Sequence, residues 1–225
     1  MGNHSRDVPF EEFYSAIDCL NRIEKNSDEN RYVLVGGMAV QAYLKAHNVK
    51  AGRRKSKDLD VLATSGFIDA LFSPAETGGE DERSDTPVFK IEDKGNYTNF
   101  MFDGMKTGTY ISIEEHPLEI NGQYVGEKLK VSKNLEVNVL NLEHLVASKI
   151  ASYNPRKRMK DGKDVMALVP IVAERLKNKK FSFEKVNNAL KDVYIIRSLE
   201  SQELYKAFAC QVRAHVQRIY TSRTD

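Results

Sequence analysis

The chain is 225 residues long, 41 % hydrophobic and 29 % charged, with a formal net charge of +2. That length can bury one large core or two small ones, and the composition is that of an ordinary globular protein, which excludes disorder as the dominant state. No apolar run is long enough to span a bilayer, and so small a net charge names no partner by itself.

Phe10, Phe13, Ile17, Leu20 and Ile23 recur at three- and four-residue steps and predict an amphipathic helix over 9–25, broken by Asp28-Glu29-Asn30. Tyr32-Val33-Leu34-Val35 reads as a strand running into Gly36-Gly37, with a helix from Met38 to about His47 behind it. A basic stretch, 48–57, leads into a second strand, Asp58-Leu59-Asp60-Val61-Leu62. Thr64 or Ser65 can cap a short helix through Phe67, Ile68, Leu71 and Phe72, and the acidic segment 73–86 reads as a surface loop. Strands are predicted over 88–91, 98–102, 109–113, 118–120, 123–125 and 135–139, with Asp103-Gly104 and Asn121-Gly122 as hairpin turns. Beyond Asn141 the pattern is helical, over 142–153, 163–176, 183–193 and 199–220. An α/β half, 1–140, is therefore expected before an α-helical half, 141–225. Cys19 and Cys210 fall in helical patterns without metal-ligand spacing and are expected to be buried free thiols. None of the five histidines is spaced as a metal ligand. Residues 1–6 have no signal core and no myristoylation pattern, so a cytoplasmic location is expected, with no membrane partner.

Two stretches carry chemistry. Strand side chains alternate between faces, so Asp58 and Asp60 project to one side while Leu59 and Val61 anchor the other. Two like charges side by side repel unless a cation joins them, which marks a divalent-metal site; an exposed polar strand face is the plainer alternative. Gly36 and Gly37 lack a Cβ, so a phosphate can approach the backbone where the strand ends and a helix presents its free N–H groups. In the helix over 142–153 the inward stripe is Leu142, Leu145, Val146, Lys149 and Ile150, which buries a lysine. A buried lysine wants an anion. If that charge is uncompensated, Lys149→Met should stabilise the ligand-free protein; the alternative is a side chain snorkelling at the stripe's edge. Asp161 and Asp164 read equally well as an N-cap and a first-turn acid of the helix that follows. The basic run 156–160 reads as a solvated loop or a contact for triphosphate or RNA.

The order strand, Gly36-Gly37, helix, Asp58-x-Asp60 resembles the DNA polymerase β superfamily of nucleotidyltransferases. Arg54-x-Ser56-x-Asp58-x-Asp60, the helix bearing Lys149, and Lys160-Asp161-Gly162-Lys163-Asp164-Val165-Met166-Ala167-Leu168 are similar to the corresponding elements of the AbiEii-like abortive-infection toxin nucleotidyltransferases. The resemblance implies a short mixed sheet with packed helices and a helical domain after it. It also implies transfer of a nucleotidyl group from an NTP with Mg²⁺, or Mn²⁺, held by Asp58 and Asp60, and a toxin–antitoxin or phage-defence role with an antitoxin partner. By the same resemblance Gly36, Gly37, Arg54, Ser56 and Lys149 bind the nucleotide, and Asp161 joins Asp58 and Asp60 as catalytic.

The superfamily's third carboxylate has no plain counterpart. In Tyr110-Ile111-Ser112-Ile113-Glu114-Glu115 a serine stands where the acid is expected; Glu114 as a metal ligand, Asp103, or Asp161 could substitute. A catalytically degenerate nucleotide- or RNA-binding module of the same fold is the other reading. The acceptor is left open among RNA, protein and a small molecule.

Overall fold

The structure is a computed structural model that describes residues 8–25, 31–50, 55–56, 58–72, 88–93, 97–102, 105, 109–157, 159–196 and 198–221, and of 55 and 88–93 only the backbone. In chain order the elements are β1 (Val8–Pro9), α1 (Tyr14–Glu24), β2 (Tyr32–Leu34), α2 (Gly36–Ala46), β3 (Lys55–Ser56), β4 (Asp58–Ala63), α3 (Ser65–Phe72), β5 (Val88–Asp93), β6 (Thr98–Phe102), β7 (Tyr110–Glu115), β8 (Glu119–Ile120), β9 (Gln123–Tyr124), β10 (Gly126–Lys130) and β11 (Glu136–Leu140). Helices α4 (Leu142–Ser152), α5 (Met159–Ala167), α6 (Val169–Lys177), α7 (Phe183–Asp192) and α8 (Leu199–Thr221) follow. Two units result: Met1–Met38 with Arg53–Val139, and Ala39–Gly52 with Leu140–Asp225. The second unit thus recruits most of α2 to the C-terminal helices.

The first unit is built on a mixed sheet of order β10-β11-β2-β4-β7-β6-β5. Strand β2 runs antiparallel to β4, which runs parallel to β7, while β6 is antiparallel to β7. Along β4 burial alternates strictly, with Leu59, Val61 and Ala63 buried and Asp58, Asp60 and Leu62 half-buried. Register gives Leu59 and Val61 the partners Ile111 and Ile113, also buried, so one face of these strands is core. Helix α3 lies on that face, with Phe67 5.4 Å from the Tyr32 ring and Phe72 6.0 Å from Phe100. Helix α1 joins it through Ile17 and Leu20, and its Asn21 accepts from the Tyr32 hydroxyl at 2.7 Å. Each such apolar side chain contributes roughly 1.5–3 kcal/mol on burial. Both helices therefore cover the face away from Asp58 and Asp60.

The hairpin turn at Asn121-Gly122 forms as expected, with φ of 53° and 71° at the two turn residues joining β8 and β9. Other expectations are corrected. The helix read from residue 9 starts only at Tyr14, because Pro9 is extended and pairs within β1 against β3, ahead of a 3₁₀ turn at Phe10–Phe13. Strand β10 was not foreseen, since only Leu129 interrupts its charged residues. In the second unit the single helix read over 163–176 is two, α5 and α6, parted at Leu168 because Pro170 cannot continue a helix inward and restricts the residue before it. Helix α4 is capped by Asn141, whose side chain accepts from His144 N–H at 3.0 Å, and packs against α5, α7 and α8. Cys19 is buried but Cys210 is exposed, against the expectation of two buried thiols. Among the described residues no helix is long and apolar enough to cross a membrane.

Candidate active site

Strand β2 ends at Leu34, and Val35 N–H donates to the Asp60 carbonyl at 3.0 Å, which ties the start of α2 to the middle of β4. Gly36 then takes φ +66°, the left-handed conformation that favours glycine. A Cβ at this position would collide with Asp60 Oδ2. The first turn of α2 and the Asp60 carboxylate are therefore packed so closely that only glycine fits between them. Gly37 follows within the same turn, so α2 begins two residues ahead of the start expected at Met38. Asp58 is fixed separately, by the Ser56 hydroxyl donating to its Oδ1 at 2.6 Å. The sequence reading thus has Gly36, Gly37, Ser56, Asp58 and Asp60 in one neighbourhood of the first unit. Arg54 and Asp103 lie outside the described residues.

Register also settles the row beside the carboxylates. Asp60 is level with Ser112 on β7, and Ser112 with Asn99 on β6, so three strands in succession place Asp, Ser and Asn across one face. Glu114 is level with Leu62, one pleat beyond Asp60, and points to solvent. Among the described residues no three of His, Cys, Asp and Glu gather as a metal cluster. The site offers two carboxylates and neutral oxygens. That donor set fits Mg²⁺, a hard cation that takes one or two protein carboxylates and completes its shell with phosphate and water.

Asn99 is the residue that sequence reasoning missed. It is 6 % exposed, and its Oδ1 has no hydrogen-bond partner. The signal was an amide between Thr98 and Phe100 in an apolar strand, where asparagine is disfavoured.

A second cluster lies within the helical unit. Lys149 is buried, as its position in the stripe requires, and the anions it wants come from the neighbouring helix. Its ammonium donates to Asp161 Oδ1 at 2.8 Å and stands 3.0 Å from Asp164 Oδ2, while the Ser152 hydroxyl donates to Asp161 Oδ2 at 3.3 Å. The lysine is compensated, which overturns the expectation of a lone charge whose removal stabilises. Asp161 also sits inside the first turn of α5, not ahead of the helix, because α5 begins at Met159. The basic run at 156–160 is exposed where described, and Met159 and Lys160 open α5 instead of lying in a loop.

The profile of the family described as "Nucleotidyl transferase AbiEii toxin, Type IV TA system" matches residues 18–223. No curated protein matches the chain. Among solved structures, a crystal structure described as a nucleotidyltransferase from H. pylori is 15 % identical, with a TM-score of 0.40 over 92 % of this chain and 96 % of that one. JHP933 from Helicobacter pylori gives 15 % and 0.40 over 94 % and 97 %. The antibiotic-resistance factor ANT(2'')-Ia gives 11 % and 0.39 over 92 % and 97 %.

Proposed function

The chain belongs to the AbiEii family of nucleotidyltransferase toxins of type IV toxin–antitoxin systems, and from that premise we propose that the glycine–aspartate face of its first unit takes an NTP with Mg²⁺, or Mn²⁺, and passes the nucleotidyl group to an acceptor hydroxyl or phosphate on RNA or protein. Nucleotidyl transfer is the family's activity, and a nucleotide substrate and an antitoxin counterpart come with it. The observation that supports the finer reading is Gly36 against Asp60 Oδ2: a left-handed glycine opens the first turn of α2 directly beside the carboxylate, with no side chain between the helix N–H groups and the metal strand.

In this reading the N–H groups at the start of α2, Gly36 and Gly37 included, donate to the β- and γ-phosphate oxygens. Asp58, oriented by Ser56, and Asp60 would hold the metal, which supplies charge neutralisation at the phosphate oxygens. The acceptor oxygen bonds to the α-phosphorus while the bond from that phosphorus to the bridging oxygen breaks. The electron pair leaves with pyrophosphate, and the acceptor's proton passes to solvent. Such a step needs positioning and charge compensation more than covalent help from the protein. Arg54 and Ser56 precede the metal strand and are assigned to the nucleotide. Lys149 and Asp161, which the family resemblance assigns to phosphate and to catalysis, meet each other within the helical unit as a hydrogen-bonded pair. Glu114, offered by the sequence as a third metal ligand, is exposed and one pleat beyond Asp60.

Thermal melts test this reading. Wild type should gain stability from an NTP only when Mg²⁺ is also present, and Asp58→Ala should remain folded but lose that gain. An undiminished gain in Asp58→Ala would place the nucleotide elsewhere.

A further inference from the structure

We propose that Asn99 is a substrate-binding residue whose side-chain oxygen receives a neutral hydrogen-bond donor, a hydroxyl or an amide N–H, from the acceptor; this rests on the nucleotidyl-transfer reading above. A buried carbonyl oxygen without a partner costs about as much as a lost hydrogen bond, and native proteins leave few of them. Asn99 Oδ1 is such an atom. It lies on the functional face, because Asn99 is level with Ser112 and Ser112 with Asp60. Two strand steps of about 5 Å put Asn99 about 10 Å from Asp60 across the sheet.

Direction decides which substrate it meets. Strand β2, which leads into Gly36 and Gly37, flanks β4 on one side, and β7 and then β6 flank it on the other. With the β- and γ-phosphates at the glycines, pyrophosphate leaves toward β2. An in-line displacement brings the attacking oxygen from the opposite side, over β7 and β6, so the acceptor lies on the Ser112 and Asn99 flank. Ten ångströms is too far for Asn99 to touch the attacking oxygen while that oxygen meets the α-phosphorus near Asp60. It reaches a second donor on the acceptor. An amide oxygen, unlike a carboxylate, brings no charge to offset a desolvated ammonium, so at this buried position a neutral donor is the one it can hold.

The experiment compares wild type, Asn99→Leu, Asn99→Ala and Asp60→Asn. Each is measured by melting without ligand, by affinity for Mg²⁺ with each of the four NTPs, and by label transfer from α-labelled NTP into RNA, protein and small-molecule fractions of a cell extract at increasing dilution. Asn99→Leu removes the orphan oxygen at similar volume, so its melting temperature should equal or exceed wild type. NTP affinity should stay within about twofold, while the amount of acceptor fraction giving half-maximal transfer rises about fivefold, the size of one neutral hydrogen bond. If Asn99→Leu does not fold, Asn99→Ala carries the same expectation for transfer. A parallel fall in NTP affinity would put the oxygen on the nucleotide and overturn the acceptor assignment, as would unchanged half-saturation. Asp60→Asn separates the two levels: if it too retains transfer, the assignment of nucleotidyl transfer to this face, on which the proposal rests, has failed.

Discussion

Lys149 shows how far helical periodicity reaches. The stripe on α4 makes it inward, but its partners sit on α5, and no local pattern announces that Asp161 and Asp164 meet one ammonium. Removing a single member of a buried ion cluster leaves the others unpaired, which is far costlier than losing the cluster as a whole. Lys149→Met should therefore destabilise the protein by about 3–5 kcal/mol in urea unfolding, with much of the loss restored in Lys149→Met/Asp161→Asn/Asp164→Asn. A single mutant as stable as wild type would mean the two carboxylates do not depend on the lysine. Asp60→Asn should do the reverse at the other cluster. It relieves like-charge repulsion with Asp58, so stability should hold or rise while nucleotide-dependent stabilisation disappears. A melt that shows the mutant unfolded would give Asp60 a structural role instead.

Strands and their alternation were more legible than the places where elements begin. In β4 every second residue is apolar, and the fold uses that pattern directly, core behind and carboxylates in front. Helix α2 begins two residues earlier than its apolar pattern suggests, because Gly36 and Gly37 serve as its first turn and contribute no side chain to a periodicity. The break between α5 and α6 was signalled by Pro170, but apolar spacing runs on through Leu168 and masked it. Asn99 needed the sheet register, which depends on pairing between distant segments. Gly36 tests the element-level claim against a control. Gly36→Ala meets both a left-handed backbone, about 1–2 kcal/mol, and the Asp60 carboxylate, so it should lose stability and Mg²⁺-NTP binding together. Gly122→Ala has the same kind of backbone at φ +71° but nothing within 4 Å, so it should lose stability alone. Equal nucleotide binding in the two variants would detach Gly36 from the site.

Across the whole molecule, phenols partly or wholly withdrawn from water should make stability fall at alkaline pH. Burial pushes Tyr194 up to about 12, and burial with Glu24 nearby pushes Tyr124 up to about 12 against the opposing Arg31. Tyr32 is raised as well, first by burial and then by Glu24. Unfolded tyrosines ionise near 10, so the folded state holds more protons above that pH, and the stabilisation present below pH 10 is lost as pH rises toward 12. Tyr194 alone should cost about 2–3 kcal/mol over that window in denaturant melts, and a Tyr194→Phe variant should show a shallower decline. A decline of unchanged slope would remove Tyr194 from the balance.

The central claim is that the two carboxylates facing out of β4 hold the nucleotide that the chain transfers. It is tested most directly by supplying α-labelled NTP and Mg²⁺ with a cell extract to wild type and to Asp60→Asn, both first shown to be folded by their melts. Wild type should place label on an acceptor, and Asp60→Asn should leave that acceptor unlabelled. Equal labelling by the two would contradict the assignment of nucleotidyl transfer to this face.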